Sequence, residues 1–287
     1  MDFIYNVWKK KVPLPGTTIT LRGDSLAARC SCFWINEWKV MLDAGLKGYF
    51  NPKFIFITHT HTDHIERLHS ILTDICTKPI VYVPKGTAKF VARYLNSMSR
   101  LTSLCPYVVC KHCTLVEVEP RDEIELVINN SRFVVRVFQT DHTVNSIGYA
   151  FSEFRKRLKP EYADLKQDDC AALARAGTEI NHEVELNILI YTGDTTGTIF
   201  DTDAIDWGSY AVIITECTFI NIESDDVITL ARNKKHNYSD NIVDLATRCP
   251  NTLFVLCHWS VRYKPDVITR YFEEIGMPNI MPWVNVY

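Results

Sequence analysis

The chain has 287 residues, of which 47% are hydrophobic, enough for one large α/β domain or two small ones. Its formal net charge of −3 gives no global basic signature, so nucleic-acid binding would depend on local patches. No apolar run reaches the roughly 18 residues that span a membrane. Ten cysteines and an N-terminus without a signal-peptide pattern predict an intracellular, cytoplasmic protein, with nucleus and organelles left open.

Strand and helix patterns alternate along the chain. Residues 17–44 indicate short strands with turns at Gly23-Asp24 and Asn36-Glu37. Further strand patterns occupy 54–58, 80–83, 132–138, 186–191, 211–215 and 252–257, and helical patterns occupy 64–75, 87–98, 239–248 and 265–274. This order predicts sheet layers covered by helices.

The polar segment 153–185 interrupts this pattern. It is predicted to be a compact insertion into a single domain that spans residues 1–287. A short helix inside it is expected to begin at Asp168 and Asp169 and to end at Gly177.

The stretch IFITHTHTDHIERL at 55–68 is the strongest sign of chemistry. Four ligand-type residues follow an apolar strand within six positions: His59, His61, Asp63 and His64. A lone histidine is usually a plain surface or core residue, but a strand-to-helix loop can direct several side chains into one volume. Imidazole and carboxylate groups together suit zinc, and this many ligands in one loop suit two ions.

One loop cannot complete a site for two metals, so further ligands are expected at other strand ends. His142 follows the strand at 132–138, Asp194 follows the strand at 186–191, and His258 follows the strand at 252–257. A Gly-Asp pair is also a common turn, so each residue alone is weak evidence. The shared placement of all three predicts that they join the loop histidines.

The ordered motifs HTHTDH, His142, TGDT and LCHWSVRY resemble the metallo-β-lactamase superfamily. Within it, the chain resembles ribonuclease Z, the tRNA 3′-processing endonuclease, over residues 15–285. That narrower resemblance rests on HTVNSIGYAF around His142, YTGDTT, ITECTF at 214–219, and NKKHNYSD followed by CHWSVRY. The segment inside 153–185 resembles that of short, plant-type members, which lack a long tRNA-binding arm.

The resemblance implies an αββα sandwich and a role for each motif residue. His59, His61 and His142 would bind one zinc ion, Asp63, His64 and His258 would bind the other, and Asp194 would bridge them. Asp63 would also accept the proton of the attacking hydroxide. His236 would protonate the leaving oxygen, with its ring oriented by Glu216, and Asp43 would support the metal loop from behind.

Two motifs depart from the family pattern. Many members carry His-Glu-Ala-Thr where this chain has Thr215-Glu216-Cys217-Thr218, and plant-type members also lack that first histidine. His236-Asn237-Tyr238 stands in place of the family's His-Ser-Thr. Asn237, Ser239 and Arg262 are candidate contacts for substrate phosphate. Basic clusters beside the proposed catalytic residues, at 232–235 and 262–264, are candidate RNA contacts, although charge runs are often only solvated faces.

The cysteine-rich segment CPYVVCKHC at 105–113 could be a small zinc knuckle. Its spacing fits no common zinc finger, so free thiols on a short turn are the simpler interpretation. Cys30 and Cys32 alternate along a predicted strand and are expected to pack in the core.

The predicted function is therefore removal of the 3′ trailer from precursor tRNA by a homodimer that uses two zinc ions per chain, with manganese as a possible substitute. One alternative is another hydrolase on the same metal site: a general ribonuclease, a cyclic-nucleotide phosphodiesterase or a β-lactamase. A second alternative is a non-catalytic RNA-binding relative. The complete ligand set favours an enzyme.

Overall fold

The structure is a computed structural model that describes residues 7–203, 205–221 and 225–285. Within these ranges the strands form two seven-stranded sheets. The first contains β1 (Val12–Pro13), β2 (Thr20–Leu26), β3 (Cys30–Ile35), β4 (Val40–Leu42), β5 (Phe54–Phe56), β6 (Ile80–Pro84) and β7 (Thr114–Val118). The second contains β8 (Glu123–Ile128), β9 (Ser131–Gln139), β10 (Ile147–Leu158), β11 (Asn181–Tyr191), β12 (Val212–Glu216), β13 (Leu253–Cys257) and β14 (Ile280–Pro282).

The helices lie on the outer faces of these sheets or in the connections. Along the chain they are α1 (Thr62–Ile65), α2 (Leu68–Thr73), α3 (Ala88–Ser103), α4 (Gln167–Arg175), α5 (Asp225–Lys234), α6 (Ser239–Arg248) and α7 (Pro265–Ile275). None of the helices in the described ranges is long and apolar enough to cross a membrane. All ten cysteines are free thiols.

The two sheets share one topology. In each sheet the first four strands pair antiparallel in sequence order, and the next three are added in parallel. The parallel pairs run from β4 to β7 in the first sheet and from β11 to β14 in the second. Parallel neighbours need crossover connections, which is why helices accumulate around these halves of the sheets.

The main core lies between the sheets. Phe33 and Phe56 of the first sheet meet Tyr149, Phe151 and Tyr191 of the second, and all five side chains are buried. The rings of Phe56 and Tyr149 pack edge to face with their centroids 4.9 Å apart. Such contacts add directional preference to the burial of apolar area, so they help to fix how the sheets align.

Two outer cores attach the helices. Val81 and Met41 on the first sheet pack with Leu72 of α2 and Leu95 of α3 in one cluster. Residues of α6 and α7 pack against the outer face of the second sheet in another, which includes Ile213, Phe254, Ile242 and Phe272. The layers therefore run helix, sheet, sheet, helix, which confirms the predicted αββα sandwich.

Several local predictions differ from the structure. The pattern at 64–75 forms two short helices, because the backbone N–H of Arg67 donates to the carbonyl of Ala44 and breaks the helical ladder. Gly23-Asp24 is not a turn: both residues pair with β3 inside β2. Strands β1, β7, β8, β10 and β14 lie outside the predicted strand ranges. Of these, β8 is an edge strand that exposes alternate residues and lacks a continuous apolar run.

The two ends of the segment 153–185 are paired strands. Its ends belong to β10 and β11, which pair antiparallel from Tyr149 to Leu158, and α4 lies at the tip of this hairpin. The predicted helix is confirmed, with Asp168 and Asp169 in its first turn.

Gly45 makes a close backbone approach that positions the histidine-rich loop. A Cβ at residue 45 would lie 1.6 Å from the carbonyl oxygen of Asp63 and 2.8 Å from the backbone nitrogen of Ser31. Both are main-chain atoms, so neither can move without shifting the loop or β3.

Gly45→Ala should therefore lower the free energy of unfolding by about 3 kcal/mol or more, because the loop must be displaced. Urea denaturation of the metal-free protein measures this. Gly208→Ala is the control, because a Cβ there meets nothing closer than the Cys249 sulfur at 3.4 Å. It should cost less than about 1 kcal/mol, and equal losses in the two variants would contradict this account of Gly45.

Candidate active site and metal centre

The predicted ligands converge because they follow the ends of strands at one edge of the sandwich. His59 lies three residues after β5, and His142 lies three residues after β9. Asp194 follows β11 and His258 follows β13. Open α/β sheets gather functional groups at the carboxyl ends of their strands in this way. The seven predicted metal ligands accordingly fall into overlapping groups whose ligand atoms lie within 4.8 Å of one another.

A fully buried carboxylate, Asp43, supports the histidine-rich loop from below. Its Oδ1 accepts the backbone N–H of Thr58 at 2.8 Å, and its Oδ2 lies 2.7 Å from Nδ1 of His64. The hydroxyl of Tyr191 donates to Oδ2 at 2.6 Å from the second sheet. Asp43 itself adopts a left-handed backbone conformation with φ of 56°. The supporting role predicted for Asp43 agrees with these contacts.

The first ligand group consists of His59, His61 and His142. Nδ1 of His59 lies 3.1 Å from the hydroxyl oxygen of Thr58, which donates its proton to Asp43. Nδ1 of His142 donates to the carbonyl of Lys235 at 2.8 Å. Both rings thus carry their proton on Nδ1, and their bare Nε2 atoms each lie 3.1 Å from Nδ1 of His61. A single proton on His61 could satisfy only one of these contacts, whereas a metal cation can bind all three nitrogens.

The second group consists of Asp63, His64 and His258. Nε2 of His258 lies 3.4 Å from Oδ2 of Asp63, which also accepts the backbone N–H of Ala28 at 2.9 Å. Nε2 of His64 is buried and makes no hydrogen bond, although Oδ1 of Asp194 lies 3.3 Å away. A buried, unpartnered ring nitrogen is costly unless another ligand binds it.

Asp194 lies between the two groups. Its Oδ2 is 3.3 Å from Nε2 of His258 and 3.9 Å from Nε2 of both His59 and His142. The side chain is almost completely buried. One carboxylate therefore faces both groups, as a bridging ligand must.

The electrostatics of the cluster suit cation binding. Burial, reinforced by neighbouring imidazoles, lowers the pKa of His59, His61 and His142, which favours the neutral rings that bind metals. Burial alone would raise the pKa of Asp63, but His258 and His64 lower it to about 2. Burial disfavours a charged His64, yet Asp194 and Asp43 raise its pKa well above the usual range. The same negative potential would attract a metal ion in place of that proton.

The donor set thus fits two divalent metal ions of the type that imidazole and carboxylate bind. Three features support this: bare nitrogens that face one another, an unpartnered buried nitrogen on His64, and a buried carboxylate shared by two ligand groups.

His236 and Glu216 form a pair beside this cluster. Nδ1 of His236 lies 3.0 Å from both carboxylate oxygens of Glu216. Burial opposes the charged ring, but Glu216 and Asp194 raise the pKa of His236 to about 9. The ring is mostly buried, with its side chain 15% exposed, and its centroid is 5.0 Å from that of His142. A protonated imidazole therefore faces the cluster with its Nδ1 fixed.

Several contacts at the site had no clear sequence signal. The carbonyl of Lys235 and the backbone N–H of Ala28 act through the main chain, so residue type does not reveal them. Tyr191 and Thr218 are polar residues at or near strand ends, the same position that predicts the metal ligands. Hydroxyl residues are common at strand ends, however, so this position alone does not single them out. Thr218 contacts Glu216 and His258 at once.

The predicted phosphate contacts are not all accessible. Asn237 and Ser239 have no exposed surface. Oδ1 of Asn237 accepts two hydrogen bonds from within the protein, and the Ser239 hydroxyl contacts Tyr271. Phosphate could reach neither side chain without rearrangement, because both belong to the packing between α6 and its neighbours. Arg262 is exposed, with its guanidinium 5.2 Å from the ring centroid of Phe219.

The structure also shows the surroundings of the basic residues before His236 and of the cysteines. Lys235 pairs with Asp141 at 2.8 Å, while Arg232 and Lys234 are exposed. Within the described ranges, no group of metal-ligand atoms includes a residue of the segment 105–113, and its three cysteines are free. Cys30 and Cys32 are buried against α1 to α3 in the outer core of the first sheet, as predicted.

Comparisons with known proteins agree with this geometry, although no protein-family model matches the chain. The chain is 27% identical over 279 residues to a tRNase Z of Arabidopsis thaliana, which covers 94% of this chain and 95% of that protein. It is 30% identical over 135 residues to the nuclear ribonuclease Z of Triticum aestivum, which covers 46% of this chain and 72% of that protein.

Among solved structures, a metallo-β-lactamase-fold protein of Bacillus subtilis superposes with a TM-score of 0.54 at 12% identity. The match covers 91% of this chain and 94% of that one, and it supports the fold. The two plant relatives indicate the family, and the Arabidopsis thaliana tRNase Z does so over 94% of this chain. The chain therefore belongs to the tRNase Z, or ribonuclease Z, family of metallo-β-lactamase-fold enzymes.

Proposed function

We propose that this protein is a zinc-dependent endoribonuclease that removes the 3′ trailer from precursor tRNA. The observation that carries the proposal is the His236–Glu216 pair beside a complete set of metal ligands. A metal cluster alone would suit many hydrolases. A fixed, protonated imidazole next to it suits a reaction whose leaving group is a poor one, such as the 3′ oxygen of a ribose.

Zinc ions held by the two ligand groups would supply an activated water at neutral pH and stabilise the negative charge that develops on phosphorus. His59, His61 and His142 would hold one ion, Asp63, His64 and His258 the other, and Asp194 would contact both. The identity of the metal as zinc rests on the mixture of imidazole and carboxylate donors, and manganese would be tolerated by the same set.

The chain's own residues would move the two protons of the reaction. Asp63 would accept a proton from the attacking water, with its Oδ2 held by the Ala28 N–H. His236 would donate a proton to the 3′ oxygen as its bond to phosphorus breaks, which leaves a 3′ hydroxyl on the tRNA. Glu216 would keep the ring of His236 oriented and charged before transfer. Arg262 and the exposed basic residues of α5 would contact RNA phosphates.

The proposal includes a homodimer, which the family resemblance implies, and an intracellular setting, which suits ten free thiols.

Another hydrolase on the same site remains the main alternative, because fold and metal do not fix the substrate. The His236–Glu216 pair favours phosphodiester cleavage, since a β-lactam ring opens without a poor alkoxide leaving group.

Metal content tests the ligand assignment. Purified wild-type protein should contain about two zinc ions per chain, and His64→Ala should lose at least one, because Nε2 of His64 faces Asp194. His69→Ala is a matched control: His69 is also buried in this region, but it bonds Ser99 and belongs to no ligand group within the described residues. Elemental analysis after dialysis gives the counts. Less than one zinc in the wild type, unrestored by added zinc, would overturn the enzyme proposal.

Substitution of the proton donor tests the reaction class. His236→Ala should lower kcat on pre-tRNA by about 10²–10⁴-fold, the usual contribution of a general acid, while zinc content stays the same. A phosphodiester with a p-nitrophenol leaving group should lose much less, because that group needs little protonation. His182→Ala, at an exposed position in the β10–β11 hairpin, should leave both rates unchanged. An equal loss on both substrates would argue against proton donation by His236.

Substrate choice tests the tRNA assignment. The wild-type protein should cut a pre-tRNA with a 3′ extension at the base of the trailer and leave a 3′ hydroxyl. An unstructured RNA of equal length should be cut far more slowly under the same conditions. Equal cleavage of both RNAs would indicate a general ribonuclease, and cleavage of neither would remove the proposal.

A further inference from the structure

The hydroxyl of Thr218 connects the metal-ligand cluster with the proton donor. Its oxygen lies 2.5 Å from Oε2 of Glu216 and 3.0 Å from Nδ1 of His258. Nδ1 of His236 is more distant, at 3.4 Å. The side chain is buried, with 2% of its surface exposed, so no water competes for these contacts.

The direction of each hydrogen bond follows from the donors available. The Glu216 carboxylate accepts the backbone N–H groups of Thr195 at 2.6 Å and Asn237 at 3.1 Å, as well as Nδ1 of His236. A carboxylate in this setting has no proton to give, so the Thr218 hydroxyl must donate to it. The Thr218 oxygen is then left with lone pairs only, and Nδ1 of His258 must be the protonated nitrogen that donates to them.

This fixes the tautomer of His258. In the neutral ring, which is the form that binds a metal, the single proton then lies on Nδ1, and the bare Nε2 faces Oδ2 of Asp63 at 3.4 Å and Oδ2 of Asp194 at 3.3 Å. A bare nitrogen opposite two carboxylate oxygens is repulsive unless a cation lies among them. The hydroxyl thus selects the ring form that repels the carboxylates and binds a metal.

The same hydroxyl also acts on the other side of the cluster. Glu216 is the residue that holds His236, and Thr218 donates the shortest of the side-chain hydrogen bonds that Glu216 accepts. One chain of hydrogen bonds therefore runs from His258 through Thr218 to Glu216 and on to His236. We propose that Thr218 is a positioning residue that selects the metal-binding tautomer of His258 and couples this ligand to the His236–Glu216 pair. The link to proton donation rests on the proposed function, whereas the effect on metal binding does not.

Two substitutions separate the hydroxyl from the rest of the side chain. Thr218→Val replaces the hydroxyl by a methyl group at nearly the same volume, and it leaves the backbone bond from Ser260 to the Thr218 carbonyl intact. Thr218→Ser keeps the hydroxyl and removes only the methyl group. A role in packing would favour valine over serine, and a role in hydrogen bonding would favour serine over valine.

Zinc affinity of the metal-free variants is the first measurement, made by competition with a chelating dye. Thr218→Val should bind one of its two zinc ions about tenfold more weakly or worse, as loss of a residue behind a metal-binding histidine usually does. Thr218→Ser should remain within about threefold of the wild type. Wild-type affinity in the valine variant, or equal loss in both variants, would overturn the inference.

The tautomer itself can be read in the wild-type protein, which removes any dependence on how the valine variant folds. Nitrogen-15 NMR of the histidine rings in the metal-free protein, recorded at a pH high enough for the His258 ring to be neutral, should show its single proton on Nδ1 and a bare Nε2. A proton on Nε2 alone would contradict the direction assigned to the Thr218 bond.

Cleavage at saturating zinc tests the link to His236. Thr218→Val should lower kcat on 3′-extended pre-tRNA by at least about tenfold with little change in KM, and Thr218→Ser should restore most of it. An unchanged kcat would sever the link to proton donation. If the wild type cut no pre-tRNA, the proposed function and this link would fall together, while the zinc affinities and the NMR result would still decide the role of Thr218 in metal binding.

Discussion

The buried carboxylate of Asp43 is the contact on which the site depends. It accepts hydrogen bonds from Thr58 and His64 of one sheet's loop and from Tyr191 of the other sheet. Burial of a carboxylate without such donors would cost several kcal/mol, so the three hydrogen bonds stabilise the buried Asp43 side chain. Because the donors come from both sheets, the αββα packing and the position of the histidine-rich loop are fixed together.

The histidine and carboxylate cluster beside Asp43 has an arrangement that a cation would stabilise. Three histidine rings donate a hydrogen bond from Nδ1 to an oxygen outside the cluster. His59 donates to the Thr58 hydroxyl, His142 to the Lys235 carbonyl, and His258 to the Thr218 hydroxyl. Their Nε2 atoms then converge without protons between one another and the carboxylates of Asp63 and Asp194. This arrangement is repulsive in itself, and each outer contact would contribute to metal affinity by holding a ring in the form that binds.

The outer contacts also connect the candidate ligands with His236, the proposed proton donor. Lys235 binds His142 through its carbonyl and directly precedes His236 along the chain. Thr218 binds His258 and Glu216, and Glu216 binds His236. His236 is therefore held by the same loops that position two of the metal ligands. In the proposed function, a fixed proton donor beside the metal ions would favour cleavage of an RNA phosphodiester over simpler hydrolytic reactions on this fold.

The sequence by itself determined which residues converge as candidate ligands and most of the sandwich. His59, His142, Asp194 and His258 each follow a strongly apolar strand, and that contrast is visible in the sequence, so all four could be named as candidate ligands. Most of the amphipathic helices and buried strands could also be predicted, whereas the buried strand β10 and the edge strand β8, with its exposed alternate residues, could not.

Only the tertiary structure decided the contacts that act through the main chain or through small hydroxyls. The carbonyl of Lys235 and the N–H of Ala28 have no signature in residue type, and the close approach of Gly45 to Asp63 depends on two segments that meet only in the folded chain. Burial likewise removed Asn237 and Ser239 from the surface that a phosphate can reach. Local pattern shows which groups can do chemistry, but their protons, partners and exposure are set by neighbours distant in sequence.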